Sequence, residues 1–113
     1  MALIKWQTHA KRHMKLLFDY YRKHASDTVA LGLQDTIMGN VEQLGNFPTM
    51  GIKDDEFSTA DLQYYYLVIK WNKRTYRAYY LYKNDICSIQ AIWDCSMNPA
   101  TRRTIVKPLR RKQ

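Results

Sequence analysis

From Tyr64 onward the chain consists of three runs of residues that favour extended backbone, separated only by short groups of turn formers. The runs are Tyr64–Trp71, Thr75–Lys83 and Ile86–Trp93, and the breaks are Asn72-Lys73-Arg74 and Asn84-Asp85. Breaks this short leave no room for a crossover, so consecutive strands have to run antiparallel and pair with each other. A three-stranded meander is therefore predicted, and the preceding residues must cover at least one of its faces. In the last run Cys87, Ile89, Ala91 and Trp93 alternate with Ser88 and Gln90, which predicts that the first set packs against the cover. The middle run sets Arg77, Tyr79, Leu81 and Lys83 against Tyr76, Ala78, Tyr80 and Tyr82. Both sets are bulky, so its orientation stays open.

The cover is helical. Residues 2–7, with Leu3, Ile4 and Trp6, suit a short first strand. Thr8 is placed to cap a helix over about 9–25, in which Ala10, Met14, Leu17, Phe18, Tyr21 and Ala25 recur at three- and four-residue steps. Lys11, Arg12, Lys15, Arg22 and Lys23 make its other face basic. Ser26-Asp27 breaks the pattern and can cap a second helix with Ala30, Leu33, Ile37, Val41 and Leu44 on its apolar stripe and Gly45 at its end. Helices so closely joined form an antiparallel hairpin. Gly32 and Gly39, two turns apart, either let the backbones approach closely or simply weaken the helix by about 1 kcal/mol each. Asn46-Phe47-Pro48-Thr49-Met50-Gly51 reads as a turn, and Lys53-Asp54-Asp55-Glu56 as a solvated acidic loop. The expected architecture is α+β: an N-terminal strand and a two-helix antiparallel hairpin packed on a small, mostly antiparallel sheet. One domain is expected over residues 1–98, followed by a basic tail over 99–113.

Charge is divided unevenly along the 113 residues, whose net charge is +8. Residues 1–25 hold six Lys or Arg and one acid, 26–66 one Lys and seven acids, and 67–113 eleven Lys or Arg and two acids. Such a distribution implies an anionic partner, either nucleic acid or an acidic protein segment, unless the charge serves solubility alone. No apolar run reaches the ~18–20 residues of a membrane span, and the N-terminus meets charge too early for a secretory signal, so a cytoplasmic protein is expected. Cys87 and Cys95 form no ligand or disulfide pattern and read as reduced, buried thiols.

Motifs for catalysis are few. There is no glycine-rich phosphate loop, no Gly-x-Ser-x-Gly elbow and no His-Glu-x-x-His. His9 and His13 stand at i and i+4, but no further ligand follows at metal spacing; they read as interfacial or solvated, and neither metal nor cofactor is expected. What remains is a basic sheet. Lys70, Lys73, Arg74, Arg77 and Lys83 are interleaved with Tyr64, Tyr65, Tyr66, Trp71, Tyr76, Tyr79, Tyr80 and Tyr82. Cations meeting phosphate and rings stacking on unpaired bases would suit RNA, and a ribonuclease without metal could work there. The competing explanation for the tyrosines is β-propensity alone.

Several local sequences, in order, resemble the RelE/ParE superfamily of toxins from bacterial type II toxin–antitoxin pairs. Ile4-Lys5-Trp6 with Thr8 and Ala10 is similar to the family's opening strand and first helix. Leu17-Phe18-Asp19-Tyr20-Tyr21 and Leu44-Gly45-Asn46-Phe47-Pro48-Thr49-Met50-Gly51 resemble its helical hairpin and closing turn. Thr75-Tyr76-Arg77-Ala78-Tyr79-Tyr80 and Ile89-Gln90-Ala91-Ile92-Trp93-Asp94 resemble later strands. The resemblance implies a cognate antitoxin whose acidic segment covers the basic sheet or the helical hairpin. It implies one of two targets: ribosome-bound mRNA, cut by a RelE-like endoribonuclease, or DNA gyrase, inhibited by a ParE-like binder without catalysis. A toxin-like fold without toxicity is the third outcome. Under the nuclease reading Arg77 matches the arginine that holds the scissile phosphate and Lys70 one of two lysines, with Lys73, Arg74, Lys83, Arg102 and Arg103 as further phosphate contacts. The second lysine corresponds to Val68, a later arginine falls near Met97, and no Tyr or His follows Trp93. Arg102 and Arg103 supply charge but no general base, since guanidinium stays protonated.

Overall fold

The computed structural model describes residues 1–95. The expected basic tail, with Met97, Arg102 and Arg103, lies outside the described residues. The elements run β1 (Leu3–Trp6), α1 (Thr8–His24), α2 (Asp27–Glu42), a 3-10 turn (Gln43–Gly45), β2 (Ile52–Lys53), β3 (Gln63–Trp71), β4 (Arg74–Lys83) and β5 (Ile86–Asp94). They form one five-stranded sheet in the order β1-β5-β4-β3-β2. Only β1 and β5 pair in parallel, Leu3 with Ile86 through Trp6 with Ile89. A parallel pair requires a long crossover, and the stretch from α1 through β4 supplies it.

The meander forms as expected because both hairpins turn through two residues in left-handed backbone: Asn72 and Lys73 at φ 50° and 66°, Asn84 and Asp85 at 54° and 62°. Two consecutive left-handed residues match the twist of the flanking strands, and asparagine and aspartate tolerate that region. Arg74, expected in the turn, is instead the first residue of β4 and faces Trp71.

One face of the sheet carries the helices. Leu33, Ile37, Val41 and Leu44 from the α2 stripe and Ala10 from α1 pack with Leu67, Ile69, Tyr76, Ala78, Tyr80, Cys87, Ile89 and Ile92. At about 25 cal/mol per Å² of apolar surface removed from water, this cluster is the main source of stability. Two hydroxyls within it meet each other, Tyr21 Oη and Tyr76 Oη lying 2.8 Å apart. On the opposite face a smaller cluster joins Phe57, Tyr64, Tyr79, Ala91 and Trp93. Both sets of the middle run are therefore buried in part, which is why its pattern was undecided.

Several expectations are corrected. The last strand does not keep one face inward: Tyr80 faces Ile89 and Tyr79 faces Ala91, leaving Gln90 as an extra residue in a bulge. One inserted residue reverses the alternation, so Ala91 and Trp93 join the outer cluster while Ile92 takes the helix side. Helix α1 is preceded by Gln7, with no side-chain cap, and Thr8 is its first residue. Ser26 caps α2 as expected, its Oγ accepting the Val29 N–H at 3.1 Å. Gly32 and Gly39 do not admit a neighbouring backbone: a Cβ on Gly32 would lie 3.8 Å from the Trp71 ring, and one on Gly39 would meet nothing within 4 Å.

The segment read as a loop contains β2, where Ile52 pairs with Tyr66 and Lys53 with Tyr65. Asp54 is not solvated: it is buried, and its Oδ1 accepts the N–H groups of Glu56 and Phe57 at 3.0 and 3.3 Å. That turn brings Phe57 over the outer face of the sheet, where its ring meets Tyr79 edge-on. The preceding turn is tied to the core by Tyr80, whose hydroxyl donates to the Pro48 carbonyl at 2.8 Å and accepts the Gly51 N–H at 3.1 Å. A Cβ on Gly51 would sit 2.8 Å from that hydroxyl and 2.9 Å from the Tyr66 carbonyl, so the close approach requires glycine here.

Candidate functional site

The outer face of β3 and β4 holds the centre of the expected site. Alternation turns Val68 and Lys70 of β3 and Arg77 of β4 away from the helices. Arg77 stands directly opposite Val68, and Lys70 opposite Thr75. Arg77 and Lys70 are thus diagonal neighbours, roughly 7–8 Å apart along the sheet surface. The structure brings these two residues together on one open face.

Arg77 is held in place by its neighbours. Its guanidinium carbon lies 4.3 Å from the centroid of the Tyr66 ring, and its Nη1 donates to Tyr79 Oη at 3.2 Å. Burial disfavours the charge, but the bond to Tyr79 and the proximity of Tyr79, Tyr66 and Cys95 outweigh it, and the pKa moves upward. Arg77 is therefore a fixed cation, suited to hold an anion and unable to take a proton.

The remaining candidates are dispersed. Lys73 occupies the tip of the β3–β4 hairpin. Arg74 alternates with Tyr76 toward the helix side of the sheet and pairs with Asp94, Nη1 to Oδ2 at 3.7 Å. Lys83 ends β4 six residues beyond Arg77, roughly 20 Å away along an extended strand. Arg102 and Arg103 lie outside the described residues. The three histidines all stand on α1, across the sheet from Arg77.

His13 has a structural task. Pairing of β5 with β1 ends at Ile89, and beyond it the Ile92 N–H is taken by His13 Nδ1 at 3.2 Å. Burial first, then the charges of His9 and Arg12, lower the His13 pKa. The neutral ring that results is the form able to accept this bond. Among the described residues no group of three or more His, Cys, Asp or Glu is placed to share a metal ion. Nor is any helix among them long and apolar enough to cross a membrane.

Tyr66 and Tyr79 were named only among the aromatics interleaved with the cations, and their contacts with Arg77 were not foreseen. Tyr79 was accessible to the sequence pattern, being two residues along the same strand. Tyr66 was not, because its proximity depends on the register that pairs it with Tyr79.

The arrangement of strand, helical hairpin and meander, with one outward arginine on its middle strand, bears on comparison with known proteins. The family model described as ParE toxin of type II toxin-antitoxin system, parDE, matches residues 4–99. The chain belongs to the ParE toxin family. It is accordingly a type II toxin of the RelE/ParE superfamily. A solved structure, "Chromosomal ParDE TA system from P. aeruginosa", shares the fold at a TM-score of 0.64. The match is 17% identical and covers 83% of this chain and 96% of that one. No curated protein sequence gives a significant match.

Proposed function

We propose that this ParE-family toxin arrests growth by binding DNA gyrase in the cytoplasm and cuts no RNA, and that a cognate antitoxin neutralises it. The observation that supports this reading is that, among the described residues, Lys70 alone of the other candidate cations stands beside Arg77. A phosphodiester-cleaving site without metal needs a group to remove the 2′-hydroxyl proton and cations to hold the phosphate. Here the arginine's own hydrogen bond and ring contact go to Tyr79 and Tyr66, Val68 faces it, and Arg74 and Lys83 lie elsewhere. The histidines stand across the sheet. Binding requires only a shaped surface, and the helical hairpin offers one.

The nuclease reading is favoured by one feature, the placement of Arg77 and Lys70 on the same open face, where a phosphate could bridge them. Inducible expression with RNA 5′ ends sequenced within minutes separates the two. Binding to gyrase predicts arrest without codon-phased new ends, and the same arrest from Arg77→Ala. Codon-phased ends that vanish in Arg77→Ala would establish a ribosome-dependent nuclease instead. No arrest at all would leave a toxin fold without toxicity.

A further inference from the structure

The close of β5 and the β3–β4 hairpin lie at one end of the sheet: Tyr76 pairs with Asp94, and the Cys95 N–H donates to the Thr75 carbonyl at 2.9 Å. Helix α1 finishes at the same end, where the Tyr21 hydroxyl meets that of Tyr76 and the Tyr21 ring stands edge-on to Trp71 at 5.6 Å. Five exposed cations gather there: Lys70 and Lys73 from the hairpin, Arg74 from the start of β4, and Arg22 and Lys23 from the last turn of α1. Acids are fewer. Arg74 pairs with Asp94, Arg22 lies 3.9 Å from Asp19, and Asp27 opens α2. Lys23, Lys70 and Lys73 form no ion pair among the described residues.

The chain continues from this same end. Residues 96–113 follow Cys95 and contain Arg102, Arg103, Lys107, Arg110, Arg111 and Lys112 without a single acid. Like charges brought to one end repel each other and lower stability, so their collection calls for a counter-charge from outside the chain. The exposed pairs with Asp19 and Asp94 contribute little and can yield to a stronger anion.

We propose that the hairpin lysines, the end of α1 and the basic tail together grip the phosphate backbone of duplex DNA, so that the toxin holds gyrase and the DNA gyrase carries at once. The proposal rests on the gyrase reading and adds a second contact to it. A duplex presents about one negative charge per 1.7 Å of axis, which many dispersed cations can meet together. Single strands are held largely by bases stacking on open rings. The rings of the sheet are closed at this end, Tyr76 being fully buried and Trp71 partly buried against Tyr21. Tyr20 is exposed on α1, but its ring lies against His24 at 4.4 Å. An acidic protein segment spaces its carboxylates more widely than a duplex spaces its phosphates, and so meets fewer of these cations. Arg77 takes no part, because Tyr66 and Tyr79 hold its guanidinium on the outer face.

The test follows the fluorescence anisotropy of a labelled 20-base-pair duplex titrated with the full chain at several salt concentrations from 50 mM upward. The grip predicts binding at 50 mM salt and a slope of log K on log salt of about −4.5 or steeper, as five or more neutralised phosphates require. Lys70→Gln/Lys73→Gln is expected to flatten that slope by about two, and Arg110→Gln/Arg111→Gln/Lys112→Gln by about three. Lys5→Gln/Lys53→Gln removes as much charge as the first variant, at exposed positions that pair with Ser88 and Tyr65 away from this end, and is expected to leave the slope unchanged. A shallower parent slope, or equal flattening by the Lys5/Lys53 variant, would overturn the proposal. So would tighter binding of a single strand of the same charge, or a poly-glutamate peptide that binds as well as the duplex at equal salt. The two readings fail separately. A chain that grips duplex in this way yet leaves supercoiling by gyrase undiminished removes gyrase as the target; a chain that inhibits gyrase while the duplex stays free removes the grip.

Discussion

Tyr80→Phe removes one oxygen atom and tests whether the turn at 46–51 is held by the core. The ring of Tyr80 is fully buried, and phenylalanine fills the same space, so no cavity opens. What is lost is a donor to the Pro48 carbonyl at 2.8 Å and an acceptor for the Gly51 N–H at 3.1 Å. A protein hydrogen bond contributes about 1 kcal/mol net, and a group left unsatisfied inside costs about 1–3 kcal/mol. Pro48 and Gly51 are half-buried, so water can reach them in part. The expected loss is therefore about 2 kcal/mol, equivalent to a fall in Tm of roughly 8–12 °C for a domain of this size. Urea unfolding followed by circular dichroism reads it as a lower midpoint at unchanged slope. Tyr21→Phe, which removes one bond to Tyr76, provides the comparison and should cost about half as much. A loss below ~0.5 kcal/mol for Tyr80→Phe would show that the turn is not tethered through this hydroxyl, and the account of Gly51 would go with it.

Four further outcomes can be checked by the same unfolding assay. Gly39→Ala should stabilise by about 1 kcal/mol, because its Cβ meets nothing, whereas Gly51→Ala should cost about 1–3 kcal/mol because its Cβ lands on Tyr80 and the Tyr66 carbonyl. Lys73→Gly should stabilise by about 1 kcal/mol by relieving a left-handed lysine at φ 66°. Stability should be greatest between roughly pH 7 and 9. On the acid side the His13 pKa lies below its unfolded value of about 6.5, so the unfolded chain takes up the proton first and stability falls as the pH drops through that value. On the alkaline side burial pushes the Cys87 thiol up to about 11 and the Tyr80 phenol up to about 12. The unfolded groups then ionise first, and stability declines as the pH rises beyond about 9. A midpoint in urea that rises from pH 7 to pH 5 would contradict the role given to His13.

The meander was legible because its information is local: two-residue turns rich in asparagine and aspartate fix which strands pair and in what direction. The α2 stripe was legible for the same reason, with Ser26 marking its start. Features that depend on pairing partners were hidden. Gln90 carries nothing to mark it as a bulge, and its insertion reverses the inward set of β5 from Ala91 onward. The two residues of β2 are too few to show a period, and Asp54 is identical in sequence to its solvated neighbour Asp55 yet is buried by the turn it caps. The candidate site was read in part. Arg77 and Lys70 share a face because both lie at outward positions of paired strands. Arg74 was included by proximity in sequence, but one residue along a strand changes the face, and it pairs with Asp94 on the other side.

The central claim is that this toxin works by binding gyrase without catalysis, and supercoiling of relaxed plasmid by purified gyrase tests it most directly. The account predicts that the full chain inhibits supercoiling in proportion to its concentration, and that Arg77→Ala inhibits as well as the parent. Undiminished supercoiling in the presence of a chain that arrests growth would contradict it.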